Sequence, residues 1–427
     1  MKTRTRQPRR RSRIVGAALL LSVAGGAGAD AVLAAVPGAP APAPKKKKKV
    51  PRFVFTFEGR GFGHGIGMSQ YGAYGAALAG QTAEQIIARY YRGTALATLP
   101  VTPVRVLLTT TAKTVRLGAT GAWSVVPDGG PVTAVRPLPA AGEVTVTKLG
   151  AAGVVVRDAA GVEIFRSTGP AVFAATAPPS VVSYKGVRYR GTLRVFAEGT
   201  GLTVVNHVDL EQYLLGVVPR EMPSKWGDDA PEALKAQAIA ARSYAMATRR
   251  AGGSFDMYGD ERSQVYGGVN AEDPRTTRAV AETSGMVATL GGTIVTTFFF
   301  STSGGRTENV ENIFRGDPRP YLISIDDAQF DAKSPHHVWR DPKTFTDAQL
   351  ARLLGTKRPV LSMKILERGA SPRVKLLRIT TRSGGVKVMR GTDVRKALGL
   401  RDTWFVPKRK RRTPETLRLV SSLPPGA

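Results

Sequence analysis

The sequence predicts an α+β protein, with a β-rich N-terminal part followed by a mixed domain built around an alanine-rich central helix. Three observations carry this. Residues 101–206 fall into short β-branched and apolar runs separated by Gly, Pro and Asp. Residues 209–250 switch to helical periodicity, and the second half of that stretch is dominated by alanine, the strongest helix former. Ahead of both lies Gly59-Arg60-Gly61-Phe62-Gly63-His64-Gly65-Ile66-Gly67-Met68-Ser69-Gln70-Tyr71-Gly72-Ala73, in which glycine takes every second place from 59 to 67.

The chain begins with Lys2, Arg4, Arg6, Arg9, Arg10, Arg11 and Arg13, continues through apolar residues 14–24 and reaches Ala27-Gly28-Ala29. That order is a secretory signal pattern, with cleavage expected after Ala29 and Ala35 as the second choice. An uncleaved anchor competes, because residues 14–36 carry one charge and are long enough to span a bilayer. The expected location is therefore secreted or cell wall. Residues 30–52 alternate Pro with Ala and Gly and end in Lys45 to Lys49, a solvated linker. No cysteine is present, so an exported chain would rely on core burial rather than disulfides.

The formal net charge is +30, of which residues 1–52 hold +12 and the remainder +18. A basic exported protein suits anionic cell-wall polymers. The basic runs fall in the signal and the linker, which argues against nucleic acid as a partner. In the glycine run no register gives Gly-x-Gly-x-x-Gly and no Gly-Lys-Ser/Thr follows, which excludes a nucleotide phosphate cradle. With no Cys and no His-x-x-x-His spacing, no metal or other cofactor is expected.

Residues 53–100 read as the glycine-rich segment plus a helix from Ala83 to Tyr91 capped by Thr82, both packing on the main domain. Extended backbone through the glycines would put Arg60, Phe62, His64, Ile66 and Met68 on one face and leave the other bare for a sugar ring or another main chain. Residues 101–200 form the β-rich region and residues 201–405 the mixed domain. Within it a helix over 209–218 is expected to stop at Pro219. A second helix, 230–250, would be capped by Asp229 and lie at the domain centre. Further along come a strand over 293–300, a helix over 346–354, a strand pair over 374–388 turning at Ser383-Gly384-Gly385, and a helix over 391–400. Residues 406–427 read as a basic disordered tail.

Among candidate chemical groups, Glu221 stands out. Pro219-Arg220-Glu221-Met222-Pro223 holds one carboxyl between two prolines, and Met222 and Trp226 supply apolar neighbours that would raise its pKa toward general-acid use. Capping of the next helix, or pairing with Arg220 or Lys225, fits the spacing equally well. His64, beside Ser69 and Gln70, could meet sugar hydroxyls, and a structural histidine fits as well. Gln264-Val265-Tyr266 and the loop from Ser301 to Gly305, with Ser301 and Ser303, are polar loops for hydroxyl contacts or turns. Glu308 and Glu311 could serve as second carboxylates, and surface solvation is the preferred reading for both.

Together these segments resemble the stage II sporulation protein D family (SpoIID/LytB). The likeness rests on residues 209–223, on Ala233 to Ala245 including Arg242, on Gln264-Val265-Tyr266, on Ser301 to Gly305 and on His64 to Ala73. The resemblance implies a peptidoglycan lytic transglycosylase acting on glycan strands, with Glu221 as catalytic acid and base. His64, Ser69, Gln70, Arg242, Gln264, Tyr266, Ser301 and Ser303 would contact substrate. A non-catalytic enhancer of a peptidoglycan amidase is the rival it implies. In that family the glycine-histidine run follows the last strand, whereas here it leads the domain, an arrangement that resembles a circular permutation. Residues 53–72 should then lie beside 402–405 and bring His64 toward Glu221. The family often has a histidine before the Ser-x-Ser-Gly-Gly loop where this chain has Phe300.

Overall fold

The computed structural model describes residues 52–140 and 142–412; the signal pattern, most of the linker and residues 413–427 lie outside them. Nine helices and many short strands among the described residues make a mixed α+β architecture.

Residues 103–209 supply two antiparallel sheets. Strands Pro103–Ala112, Gly201–Asp209, Thr192–Glu198 and Ala171–Ala175 are the centre of a seven-stranded sheet, and Thr114–Ala119, Glu143–Leu149 and Gly153–Arg157 the centre of a six-stranded one. The two send Val104, Val125, Phe173 and Val195, and Val115, Val146, Val156 and Val182, into one shared core. Alternating burial along Val104 to Leu107 and Val144 to Val146 is what a sheet with one covered face requires.

Helix Leu210–Glu221 follows directly, with the Asp209 carboxylate accepting from the N–H groups of Glu211 and Gln212. Its Leu210, Tyr213, Leu214 and Val217 close the same core. The helix does not stop at Pro219. A proline in the last turn forfeits one hydrogen bond, but the turn continues, and the Met222 N–H bonds the Val218 carbonyl at 3.0 Å. Glu221 thus ends a helix instead of lying in a loop.

The alanine-rich helix spans Pro231–Ala247, with proline in its first turn and no side-chain cap. Asp229 does not cap it and accepts instead from the Tyr74 hydroxyl at 2.7 Å. Ala238, Ala241 and Ala245 of this helix enter the β-sheet core, while Ala233, Ala236, Ile239 and Ala240 enter a second core with Ile66, Met68, Ile86 and Trp226. A slim helix can touch both, and this one lies between them.

The glycine segment is not a strand. Gly61, Gly63, Gly65 and Gly67 all have positive φ, so the backbone coils between strand Phe53–Gly59 and the two-residue strand Met68–Ser69. Ile66 and Met68 are fully buried, while Phe62 is exposed. The bare face meets protein: a Cβ at Gly65 would overlap the Arg373 guanidinium, and one at Gly63 would lie 2.7 Å from Phe300. Arg373 and Asp402 form a fully buried pair at 2.9 and 2.8 Å beneath this coil.

Residues 406–411, expected in the tail, instead belong to strand Phe405–Arg411, which pairs antiparallel with Phe53–Gly59. Phe55, Phe57, Leu377, Val394 and Phe405 share a third core. Strand Thr293 to Phe300 is interrupted, leaving Thr293–Ile294 and Phe299–Phe300. Between them the Thr297 hydroxyl turns to the Ala240 carbonyl at 2.7 Å.

Candidate active-site cleft

Glu221 lies on the wall of an open cleft of about 380 Å3 whose lining includes His64, Tyr244, Glu261, Val265 and Phe298. Three elements position it. The helix end carries its backbone, the Gln70 amide donates to its main-chain carbonyl at 2.8 Å, and the Val265 N–H donates to its Oε1 at 3.1 Å. Oε2 accepts no hydrogen bond among the described residues. Burial raises the Glu221 pKa above the ordinary carboxylate value, the Val265 N–H and the Arg220 charge pull the other way, and Glu261 across the cleft adds to the rise. The result is a fixed carboxyl with one free oxygen and a bias toward its protonated form.

His64 forms part of the opposite wall, its ring between Phe298, Phe300 and Phe314 at centroid distances of 6.0, 5.3 and 5.3 Å. The Ile66 N–H donates to Nδ1 at 3.0 Å, which assigns the ring proton to Nε2. Burial first, then the Arg395 and Arg373 charges, push its pKa down to about 3. A hydrogen bond to the Phe299 main chain opposes that shift, and the net effect leaves His64 neutral at physiological pH and unable to supply a charge.

The segments 53–72 and 402–405 are in contact: the Arg60 N–H donates to Trp404 O and the Gly63 N–H to Arg401 O, both at 3.0 Å. This contact places His64 on the Glu221 cleft. The other candidates are not gathered there. Ser69 is buried, caps helix Gln70–Leu78 by accepting from Gly72 N, and also receives the Ser303 N–H at 3.2 Å. Gln70 spends its amide on Glu221 and Gln237. Arg242 is fully buried, paired with both oxygens of Glu211 at 2.7 and 2.6 Å. Gln264 bonds the Ala241 carbonyl and the Tyr213 hydroxyl, and Tyr266 donates to Asn206 at 3.0 Å. Ser303 is buried with its hydroxyl accepting from Gly305 N, and Ser301 is half-buried with its hydroxyl against Thr302. Glu308, read as a surface acid, is fully buried and holds Ser371 at 2.6 Å and Ala370 N at 2.9 Å.

Tyr244, Glu261, Ser263, Phe298, Phe299 and Phe314 line the cleft although sequence reasoning did not nominate them. Tyr244 lies inside the alanine-rich segment, where a lone aromatic among small residues was a usable signal. Phe314 offered none, because its place depends on contacts with distant His64 and Phe298.

Residues 198–290 match the family model described as SpoIID, stage II sporulation protein. The chain is 33% identical over 222 residues to stage II sporulation protein D of Bacillus subtilis strain 168, covering 48% of this chain and 62% of that one. It is 36% identical over 143 residues to an uncharacterized protein of Brachyspira hyodysenteriae, covering 33% and 38%. An amidase enhancer of Bacillus subtilis strain 168 is 32% identical over 170 residues, covering 35% and 22%. The matched region thus spans less than two thirds of each of these relatives. Helix Leu210–Glu221, the alanine-rich helix and the Val265 loop all fall within residues 198–290, the part of the chain that is similar to the SpoIID family model.

Proposed function

We propose that this protein is an exported peptidoglycan lytic transglycosylase, which cleaves the bond between N-acetylmuramic acid and N-acetylglucosamine and leaves a 1,6-anhydro end. The observation that carries the reading is Glu221: a carboxyl on a cleft wall, one oxygen held by Val265, the other free, and its protonated form favoured by burial. In the first half of the reaction Oε2 gives its proton to the glycosidic oxygen as the C1–O bond breaks. The resulting carboxylate then takes the proton of the muramyl 6-hydroxyl while that oxygen closes on C1. One proton leaves and one returns, so a single carboxyl suffices and no second one is needed to activate water. Phe298, Phe299 and Phe314 supply flat apolar walls for sugar faces, and neutral His64 adds an uncharged ring to the same lining.

Likeness to the amidase enhancer favours a second reading, in which the cleft binds glycan and the chain stimulates a separate peptidoglycan amidase without cutting the strand itself. Mass spectrometry of peptide-free glycan strands incubated with the protein and with Glu221→Gln separates the two. Anhydro-muramyl products from the parent, reduced at least about a hundredfold in the mutant, support the transglycosylase, since general acid–base catalysis contributes roughly 10²–10⁴. Glycan binding without products from either protein supports the enhancer.

A further inference from the structure

The cleft does not end at His64. His64 and Phe314 also border an adjoining cavity of about 520 Å3, whose far wall is helix Gly391–Leu398 and the turn after it, with Thr392, Arg395 and Lys396 facing the space. Arg395 is half-buried there. Its Nε donates to the carbonyls of Leu400 and Arg401 at 3.3 and 3.1 Å, which fixes the plane of the guanidinium at the helix C-terminus. That duty uses Nε alone. Neither Nη group donates to any acceptor among the described residues, and Arg395 has no ion-pair partner within 4.0 Å among them.

The carboxylate whose field reaches Arg395 is Asp402, and both oxygens of Asp402 are already taken by Arg373. Two guanidiniums therefore share one acid. Burial makes the Arg395 charge costly, and the Arg373 charge adds to that cost. A guanidinium fixed by one nitrogen, short of solvent and lacking an anion, presents an unused fork whose geometry matches a carboxylate. Ile313 and Phe314 on the same cavity provide apolar surface for carbon attached to that anion.

We propose that this cavity is a carboxylate subsite of the cleft, in which Arg395, with Thr392 and Lys396 beside it, receives a carboxylate borne by the glycan ligand. The inference rests on reading the cleft as a glycan site. In peptidoglycan the carboxylate comes from one of two sources, the lactyl ether of the muramyl sugar or the peptide attached to it.

The test uses the full chain carrying Glu221→Gln, so that ligands survive, and measures affinity for peptide-free strands, for the same strands with lactyl carboxylates converted to methyl amides, and for chitooligosaccharides of equal length. Peptide-free strands should bind roughly tenfold or more tighter than either neutral ligand, the scale of one charge-assisted hydrogen bond. Adding Arg395→Met should erase that preference, so that charged and neutral ligands bind alike. Thr392→Glu, which fills the cavity with a fixed anion and leaves the Arg395 cap intact, should erase it too. Peptide-bearing strands, whose lactyl carboxyl is already an amide, assign the source: dependence on Arg395 lost there points to the sugar, and dependence kept points to the peptide. No preference in the parent for either peptide-free or peptide-bearing strands over the neutral ligands, or a preference unaltered by both variants, overturns the subsite. Loss of all binding, neutral and charged, by the parent would instead overturn the glycan reading of the cleft.

Discussion

The two walls of the cleft are built in opposite ways. The Glu221 wall comes from one stretch of chain, where a helix end, the alanine-rich helix and the Val265 loop follow each other within residues 198–290. The His64 wall is assembled from residues near 60–70, 298–314 and 391–402, held together by a fully buried ion pair and by main-chain bonds across more than three hundred positions. The acid is thus carried by a locally encoded unit, and the surface facing it depends on distant segments meeting. Damage to long-range contacts should therefore strike the His64 wall harder.

The sharpest test of that contrast is Asp402→Ala against Glu211→Ala. Removing Asp402 strands the Arg373 guanidinium, which is fully buried, as Asp402 is, and should cost about 3–5 kcal/mol. Glu211 is 28% exposed, so water can enter its place beside Arg242, and its loss should cost clearly less. Urea unfolding of both variants measures the difference, and equal losses would break the comparison.

Acid should also weaken the two walls unequally. His64 has a folded pKa lowered from 6.5 to about 3, so the unfolded chain binds the extra proton between those values and stability falls as pH drops through that window. The slope from this residue is at most about 1.4 kcal/mol per pH unit. A His64→Gln variant should lose this part of the acid sensitivity, read as a shallower decline of Tm between pH 6.5 and pH 4. An unaltered slope would mean that His64 is hydrated in solution. Gln70 joins the walls, since it starts a helix in the glycine segment and holds the Glu221 carbonyl. Gln70→Ala should cost about 1 kcal/mol and lower kcat more than it raises KM, because the acid is left less well held.

The same contrast explains what was legible in the sequence. Thr82 capping residues 83–90 and the hairpin at Gly384 are local devices, and local spacing predicts them. The glycine run was readable as unusual but not as a coil, because positive φ at four alternating glycines is imposed by Arg373, Phe300 and Asp402 pressing from other segments. Arg242, Gln264 and Tyr266 stood out in motifs, yet each is spent inside the protein on Glu211, Ala241 or Asn206. A motif residue shows that a position is constrained, and only its partners tell whether chemistry or architecture constrains it. Strand residues 408–411 were hidden by their charge, since their lysines and arginines read as a solvated tail until the pairing with Phe53–Gly59 is known.

The smallest expected effect sharpens the comparison furthest, because it has the opposite sign on the two walls. Burial raises the pKa of Glu221 above its ordinary 4.5, so the folded protein holds that proton more tightly than the unfolded chain. Ionised Glu221 therefore costs stability at neutral pH, and the cost fades as pH falls through the folded pKa toward 4.5, below which both states are protonated and none remains. Gln keeps an oxygen for the Val265 N–H and cannot ionise. Glu221→Gln should thus be more stable than the parent at pH 7, with the gain shrinking on acidification. For His64→Gln the relative gain should instead grow on acidification. Thermal unfolding of the two variants across pH 4 to 8 should give difference curves of opposite slope. A destabilised Glu221→Gln at pH 7 would mean that the carboxylate is bound in the ground state by more than Val265, and the argument for a stored proton would fall with it.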